Sequence, residues 1–168
     1  MPINDPFGVL VLAGNAITAG VLLVVAISLV PVFLSLAPGQ YVQVHKVAGR
    51  YFDRFMPPTV IVTMVTDIVL AVRTHLPAQP LFVISALLLA GVSLVSQFGN
   101  VPINRVVKAL PVDGPPRSWE DPRGRWRTFH LWRTGFASAA LLVNIVALSL
   151  GRLTHRTRKP LVDRRSLT

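Results

Sequence analysis

Cysteine is absent from these 168 residues, which excludes disulfides, thiolate metal ligands, cysteine-held iron–sulfur clusters and covalent haem attachment. Acidic residues are scarce, seven Asp and Glu against seventeen Lys and Arg, for a net charge of +10. Charge of either sign is nearly missing from four long stretches. Phe7–Leu36 has none, and the runs Met56–Val72, Leu81–Phe98 and Leu131–Leu150 hold only Asp67 and Arg133. Internal repeats and low-complexity tracts are also absent.

A helix crosses the ~30 Å hydrocarbon layer with roughly 20 mostly apolar residues. Each of the four runs approaches or exceeds that length, and the mean hydropathy of +0.56 agrees. A soluble domain of this size could not bury so much apolar surface. Lipid admits only helices or closed barrels, and continuous rather than alternating runs favour helices. The expectation is an all-α integral membrane four-helix bundle forming one domain over residues 1–168. Its spans fall near 7–36, 56–75, 80–98 and 128–151, with a basic tail at 152–168 and both termini on one side. The N-terminal Met-Pro-Ile-Asn-Asp has no basic region and the first run is too long for a signal core, so a cleaved signal is not expected.

The excess of Lys and Arg flanks the spans, which points to anionic headgroups as partners rather than nucleic acid. Six tail residues and Arg73 fall on one side of the bundle. Lys46, Arg50, Arg54, Arg105, Lys108, Arg117, Arg123, Arg125 and Arg127 fall on the other. Seven against nine gives no orientation by the positive-inside rule.

Along the chain, Gly14/Thr18 and Ala16/Gly20 give helix 1 small residues at four-residue spacing, with Asn15 able to hydrogen-bond across the contact. Pro31 predicts a kink, and Pro38-Gly39 a stop. Residues 41–55 read as an amphipathic interfacial helix: Tyr41, His45, Ala48, Phe52 and Phe55 share one face, and Lys46, Arg50 and Arg54 the other. Pro57-Pro58 suit the first turn of helix 2, where Thr59, Thr63 and Asp67 then form a polar stripe. Helix 3 is expected to end near Gln97-Phe98-Gly99-Asn100. The proline-rich connection to about Phe129 reads as mostly irregular, with a short helix over Ile103–Leu110. Trp119, Trp126 and Trp132 suit the headgroup region.

Chemistry concentrates in few places. Trp126, His130 and Arg133 share a face of helix 4 at spacings of four and three, with Thr134 beside them. As a bland feature they anchor the helix at the interface. As a functional one, His130 is a general base and Arg133 stabilises an oxyanion or enolate. Asn100 and Asn104 read first as turn and helix-start residues, and otherwise as amides that orient a carbonyl or hydroxyl. His45 lies on the bundle side of its helix and, with His130 and Asp53, is a candidate metal ligand, although no HExxH-like spacing exists. His75 and His155 read as solvated. Asp67, the one carboxylate inside a span, is either a proton-relay group or a partner for an arginine such as Arg73.

Three short stretches carry a resemblance. Asn100-Val-Pro-Ile-Asn104, followed by a Trp-containing loop and Trp126-Arg-Thr-Phe-His130-Leu-Trp-Arg133-Thr134, resembles the anthrone oxygenase-like family of small four-span membrane proteins. Tyr41-Val-Gln-Val-His45 through Asp53-Arg54-Phe-Met-Pro57-Pro58 is similar to a variant of that family. The resemblance implies a membrane four-helix bundle. Some fungal members oxidise a polyketide anthrone to an anthraquinone with molecular oxygen, while many bacterial members have no assigned activity. Carried over by motif, the site residues are Asn100, Asn104, Trp126, His130 and Arg133, with His45 added.

The function expected on that basis is a membrane-embedded oxygenase or oxidase-like enzyme acting on a hydrophobic, anthrone-like aromatic with molecular oxygen. It would use no cofactor or a single metal, for which His45 and His130 are the candidates. The expected location is the plasma (inner) membrane, and a homo-oligomer is allowed. The competing readings are a non-catalytic assembly subunit and a transporter or channel component using Asp67, Thr63 and Asn144. Fold analogy does not decide among them.

Overall fold

The computed structural model describes residues 5–111, 115–116 and 118–157, apart from the side chains of 152–157. It contains four long helices: α1 (Pro6–Ser35), α2 (Pro38–Arg73), α3 (Gln79–Ala109) and α4 (Arg123–Thr157). All four are long and apolar enough to cross a membrane. The basic tail and Arg117 lie outside the described side chains.

Three apolar layers stack along the bundle. At one end, Val11 of α1, Leu70 of α2, Phe82 of α3 and Leu148 of α4 pack together. In the middle layer Ala19, Leu22, Val60, Leu89, Val92, Ala137 and Ala140 meet. At the far end are Val25, Phe33, Tyr41, Ile103, Val107 and Trp126. Residue numbers rise along α1 and α3 and fall along α2 and α4 from the first layer to the last, so the helices run up-down-up-down. The outside is as apolar as the inside: Leu23, Ile27, Ile61, Leu87, Leu94 and Leu142 are exposed, whereas Asn15, Thr18, Asp67, Ser85, Asn100, His130 and Asn144 are buried. Polar residues turned inward and aliphatic ones outward are what a hydrocarbon solvent selects.

Two helices run longer than the sequence predicts. The amphipathic 41–55 segment is helical, and its His45 side faces the bundle, but it is the first part of α2 rather than a separate helix. Pro57 and Pro58 therefore sit inside a 36-residue helix and not in a first turn. Each proline removes one intrahelical bond. Packing on both sides of the break, through Tyr41, Val42 and His45 before it and Val60 and Thr63 after it, holds the helix together.

Likewise α3 does not end at Gly99-Asn100. It passes through a π turn at Ser96–Asn100 and continues to Ala109, and the next helix begins at Arg123. The same device occurs in α1, where a π turn at Val25–Leu29 precedes Pro31. In both cases the residue four positions before the proline, Ile27 or Phe98, is the middle residue of the π turn. A proline ring collides with that carbonyl in an α-helix, and the wider π turn moves it aside. Both π turns lie beside the cavity described below.

Close approaches fix the packing. A Cβ on Gly99 would lie 2.5–2.9 Å from the Phe129 ring, so α3 and α4 meet there only because this residue is glycine. Gly14 similarly abuts Thr63. Ala16 and Gly20 instead face outward, and Asn15 donates to Val11 O of its own helix at 3.0 Å. Arg123 secures the far end. Its Nη1 donates to the Phe33 and Leu36 carbonyls at 2.8 and 2.7 Å, which would otherwise be orphaned at the end of α1. The same guanidinium pairs with Asp121 at 2.5 Å, and this hydrogen bonding holds the Asp121 carboxyl below the usual carboxylate range.

Candidate active site

The far layer and the middle layer enclose a cavity of about 300 Å³, at the lower end of the ~300–1,000 Å³ typical of small-molecule sites. Its walls are mostly aliphatic, from Val25, Leu29, Val60, Met64 and others, and its polar groups come from His45, Asp53, Ser93, Ser96, Gln97, Asn100, Asn104 and Arg133. Five of the six site residues expected from sequence line it: His45, Asn100, Asn104, Trp126 and Arg133. His130 stands behind this lining.

Asn104 is the hub. Its Oδ1 accepts from Trp126 Nε1 at 2.8 Å and lies 3.1 Å from His45 Nε2. An indole N–H can only donate, so Trp126 fixes the Asn104 oxygen, and that oxygen in turn requires a proton on His45 Nε2. The other nitrogen, Nδ1, then carries the lone pair. It is buried and has no hydrogen-bond partner. Phe33, Tyr41 and Trp126 surround the His45 ring at centroid distances of 5.3, 5.3 and 5.8 Å.

Asn100, the last residue of the α3 π turn, donates through Nδ2 to the Trp126 carbonyl at 3.0 Å. Its Oδ1 is buried without a donor. Neither asparagine is a cap or a turn residue, as the sequence first suggests; both are buried or half-buried inside a continuous helix and bond across to α2 or α4. Trp126 is likewise not an interfacial belt residue but 6% exposed, whereas Trp132 is 61% exposed and does fit the belt.

On α4, Trp126 and His130 stack with centroids 5.1 Å apart and planes 5° from parallel. His130 Nε2 lies 3.0 Å from the Leu22 carbonyl, just before the α1 π turn. A carbonyl only accepts, so Nε2 carries the proton and Nδ1 is the acceptor for Arg133 Nε and Nη2 at 3.1 and 2.8 Å. Both ring nitrogens are thus engaged. His130 in this state has no free lone pair, and what it does is orient Arg133. The guanidinium also reaches Ser96 Oγ at 3.5 Å, over the edge of the Trp126 ring. Salt bridges among the described residues join only Lys108 to Asp53 and Arg123 to Asp121. Arg133 therefore enters a mostly apolar cavity with donors to spare and no carboxylate in salt-bridge contact, since Asp53, which also lines the cavity, is engaged by Lys108; the arrangement suits a bound anion.

The candidate metal set is not assembled. Trp126 packs against the rings of both His45 and His130, Asp53 is engaged by Lys108, and no cluster of three His, Cys, Asp or Glu able to hold a metal occurs among the described residues. His75 is exposed, as expected.

Sequence reasoning did not find Ser96, Phe33 or the Leu22 carbonyl. Phe33 and Leu22 sit in an unbroken apolar run without any signal. Ser96 stands one turn before Asn100, and its place on the cavity wall depends on the π turn.

A lipid-facing exterior around an internal, mostly apolar cavity defines the class: a membrane four-helix bundle with a cavity between its helices. The anthrone oxygenase family model matches residues 47–143, over half of the chain, and the chain belongs to that family. The match covers Asn100, Asn104, Trp126, His130 and Arg133, and begins two residues after His45. No curated protein and no solved structure matches the chain.

Proposed function

We propose that this protein is a membrane-embedded oxygenase that oxidises a hydrophobic, anthrone-type aromatic with molecular oxygen. The observation that carries this reading is the composition of one cavity. Its mostly apolar lining includes Arg133, which no carboxylate pairs, and His45 and Asn100, each of which keeps a buried polar atom, Nδ1 and Oδ1, without a hydrogen-bond partner. A flat, apolar molecule bearing a carbonyl and a phenolic hydroxyl complements all three. Family membership supports the same chemistry.

His45 is the general base in this scheme and Nδ1 the atom that takes the proton. Removing one hydrogen from the activated CH₂ of the substrate leaves a carbanion delocalised onto the carbonyl oxygen, which Arg133 holds as an enolate. Asn100 Oδ1 accepts the substrate hydroxyl and sets its orientation. Molecular oxygen takes an electron from the enolate and the radicals combine, forming a C–O bond and a hydroperoxide that recovers the proton from His45. Loss of water across the O–O bond, with departure of the second hydrogen, leaves a ketone. The CH₂ becomes C=O, and O₂ ends as one carbonyl oxygen and one water. His130 is a positioning residue, since it acts through Arg133.

The test is oxygen uptake by purified protein in lipid nanodiscs supplied with an anthrone, against protein-free nanodiscs. Uptake should exceed the blank. It should fall by ~10²–10⁴ in His45→Gln, whose amide can still donate to Asn104 but has no basic lone pair. Uptake equal to the blank, or full activity in a folded His45→Gln, overturns the reading.

A further inference from the structure

The residues that α1 and α4 give to the cavity wall, Leu22, Val25, Phe33 and Trp126 among them, are buried or half-buried. A residue that lines a cavity and is itself exposed stands at its mouth. Phe52, Asp53, Pro57 and Ile61 of α2 and Gln97 of α3 do so. The mouth therefore lies between α2 and α3. The other side of α3 is filled by α4, since a Cβ on Gly91 would meet the Phe136 ring at 3.3 Å and Gly99 abuts Phe129.

Ties between the two helices bracket the mouth. At the far end His45 meets Asn104, Lys108 pairs with Asp53, and Lys46 Nζ donates to the Leu110 carbonyl just past α3 at 2.5 Å. Gly49 packs there too, where a Cβ would lie 3.2 Å from Lys108 Cε. At the other end Ser85 Oγ donates to Asp67 Oδ2 at 2.8 Å; Arg73, the candidate partner of Asp67, lies over Phe7 instead. Among the described residues no hydrogen bond or ion pair joins α2 to α3 between Asp53 and Asp67. That stretch holds Pro57-Pro58 on α2 and the π turn Ser96–Asn100 on α3. The lysine ties thus shut the end nearest the headgroups, and the gap runs inward from them. Ile61 follows Val60 of the middle layer, so the mouth reaches the level of the bundle interior. Around it Val62, Val65, Leu94 and Phe98 are exposed, a surface that meets hydrocarbon.

Movement from hydrocarbon into a cavity with aliphatic walls brings little hydrophobic gain, because lipid tails are as apolar as the walls. The polar groups inside must then select what stays. An acyl chain gains nothing from Arg133 or Asn100, whereas an aromatic bearing a carbonyl and a hydroxyl exchanges lipid for hydrogen bonds. We propose that the gap between α2 and α3 is a side portal through which the substrate enters from the bilayer, with Ile61 on one lip and Ser93 and Gln97 on the other. The inference rests on the cavity being the substrate site, and it restricts the substrate to molecules dissolved in the membrane.

The experiment reads access to the cavity without turnover. Trp119→Phe/Trp132→Phe leaves Trp126 as the sole tryptophan, on the cavity wall and 6% exposed. Its fluorescence is compared in vesicles of phosphatidylcholine and of phosphatidylcholine brominated in mid-acyl chain, a contact quencher that cannot leave the bilayer. Emission should be lower in the brominated lipid despite the burial. Ser93→Phe, which fills the mouth, should restore it, and Leu94→Phe, on the lipid-facing surface beside the mouth, should not. If Ser93→Phe fails to fold, Gln97→Phe on the same lip takes its place. Equal emission in the two lipids overturns the portal. So does quenching that Ser93→Phe and Gln97→Phe leave intact, because lipid then reaches Trp126 by another route. Lip-dependent quenching in a protein that consumes no oxygen with an anthrone would keep the portal and sink the oxygenase reading instead.

Discussion

Asn104 joins two buried donors to a single oxygen, and its truncation can be worked through in free energy. In Asn104→Ala both Trp126 Nε1 and His45 Nε2 lose their acceptor. An unsatisfied buried donor costs about 1–3 kcal/mol, so the sum is about 2–6 kcal/mol. Water can enter the adjoining cavity and reach part of this site, which favours the lower half, about 2–4 kcal/mol. For a chain of this length that is a fall in Tm of roughly 5–15 °C. Trp126→Phe keeps the stacking surface but removes one of the two donors. In that background Asn104→Ala strands only the histidine, and its cost should drop by about 1–3 kcal/mol. The double-mutant cycle, measured by thermal unfolding in detergent, should therefore show coupling of about 1–3 kcal/mol. Strict additivity would refute the hub role of Asn104 and leave the His45 tautomer without its cause.

Gly99→Ala gains up to about 1 kcal/mol of helix propensity but forces a methyl into the Phe129 ring, a conflict costing about 1–3 kcal/mol. Because Phe129 is fixed close to its backbone, the clash should win, lowering Tm and disturbing Asn100 and the cavity. His130→Ala should slow turnover more than it weakens substrate binding, lowering kcat, because Arg133, which holds the enolate as it forms, loses the acceptor that aims it; steady-state oxygen uptake separates the two, and an unchanged kcat would leave His130 a packing residue. Asp121 is held below its ordinary carboxylate range in the folded chain. Its contribution is therefore complete above the unfolded value near pH ~4 and lost as pH falls through the lower folded one. The pair is partly exposed, so acid unfolding scans of Asp121→Asn and wild type should differ by no more than about 1 kcal/mol above that window and converge below it.

The spans were legible because hydrocarbon tolerates almost no charge, and the charge-free runs mark them. The placement of residues around the cavity was legible from helical spacing: Trp126, His130 and Arg133 share a face of α4, and His45 faces inward as its amphipathic pattern requires. Helix continuity was not. Pro57-Pro58 and Gly99 with Pro102 read as breaks by rules of local propensity, yet bundle packing and a π turn carry α2 and α3 through them. Membrane helices tolerate such residues because neighbours and local π adjustments satisfy the freed backbone. That misplaced end made Asn100 and Asn104 look like caps. The division of roles between the histidines was also hidden, since it depends on a backbone carbonyl of Leu22 and on which nitrogen Asn104 engages.

In the proposed reaction the cavity transfers oxygen from O₂ to an aromatic carbon. Turnover of an anthrone under ¹⁸O₂ in unlabelled water, with the product analysed by mass spectrometry and corrected for the protein-free blank, tests it directly. One ¹⁸O atom should appear in the new carbonyl of each quinone formed by the protein, and the label should disappear with activity in His45→Gln. A protein-dependent product whose new oxygen comes from water, or no protein-dependent product at all, contradicts the mechanism.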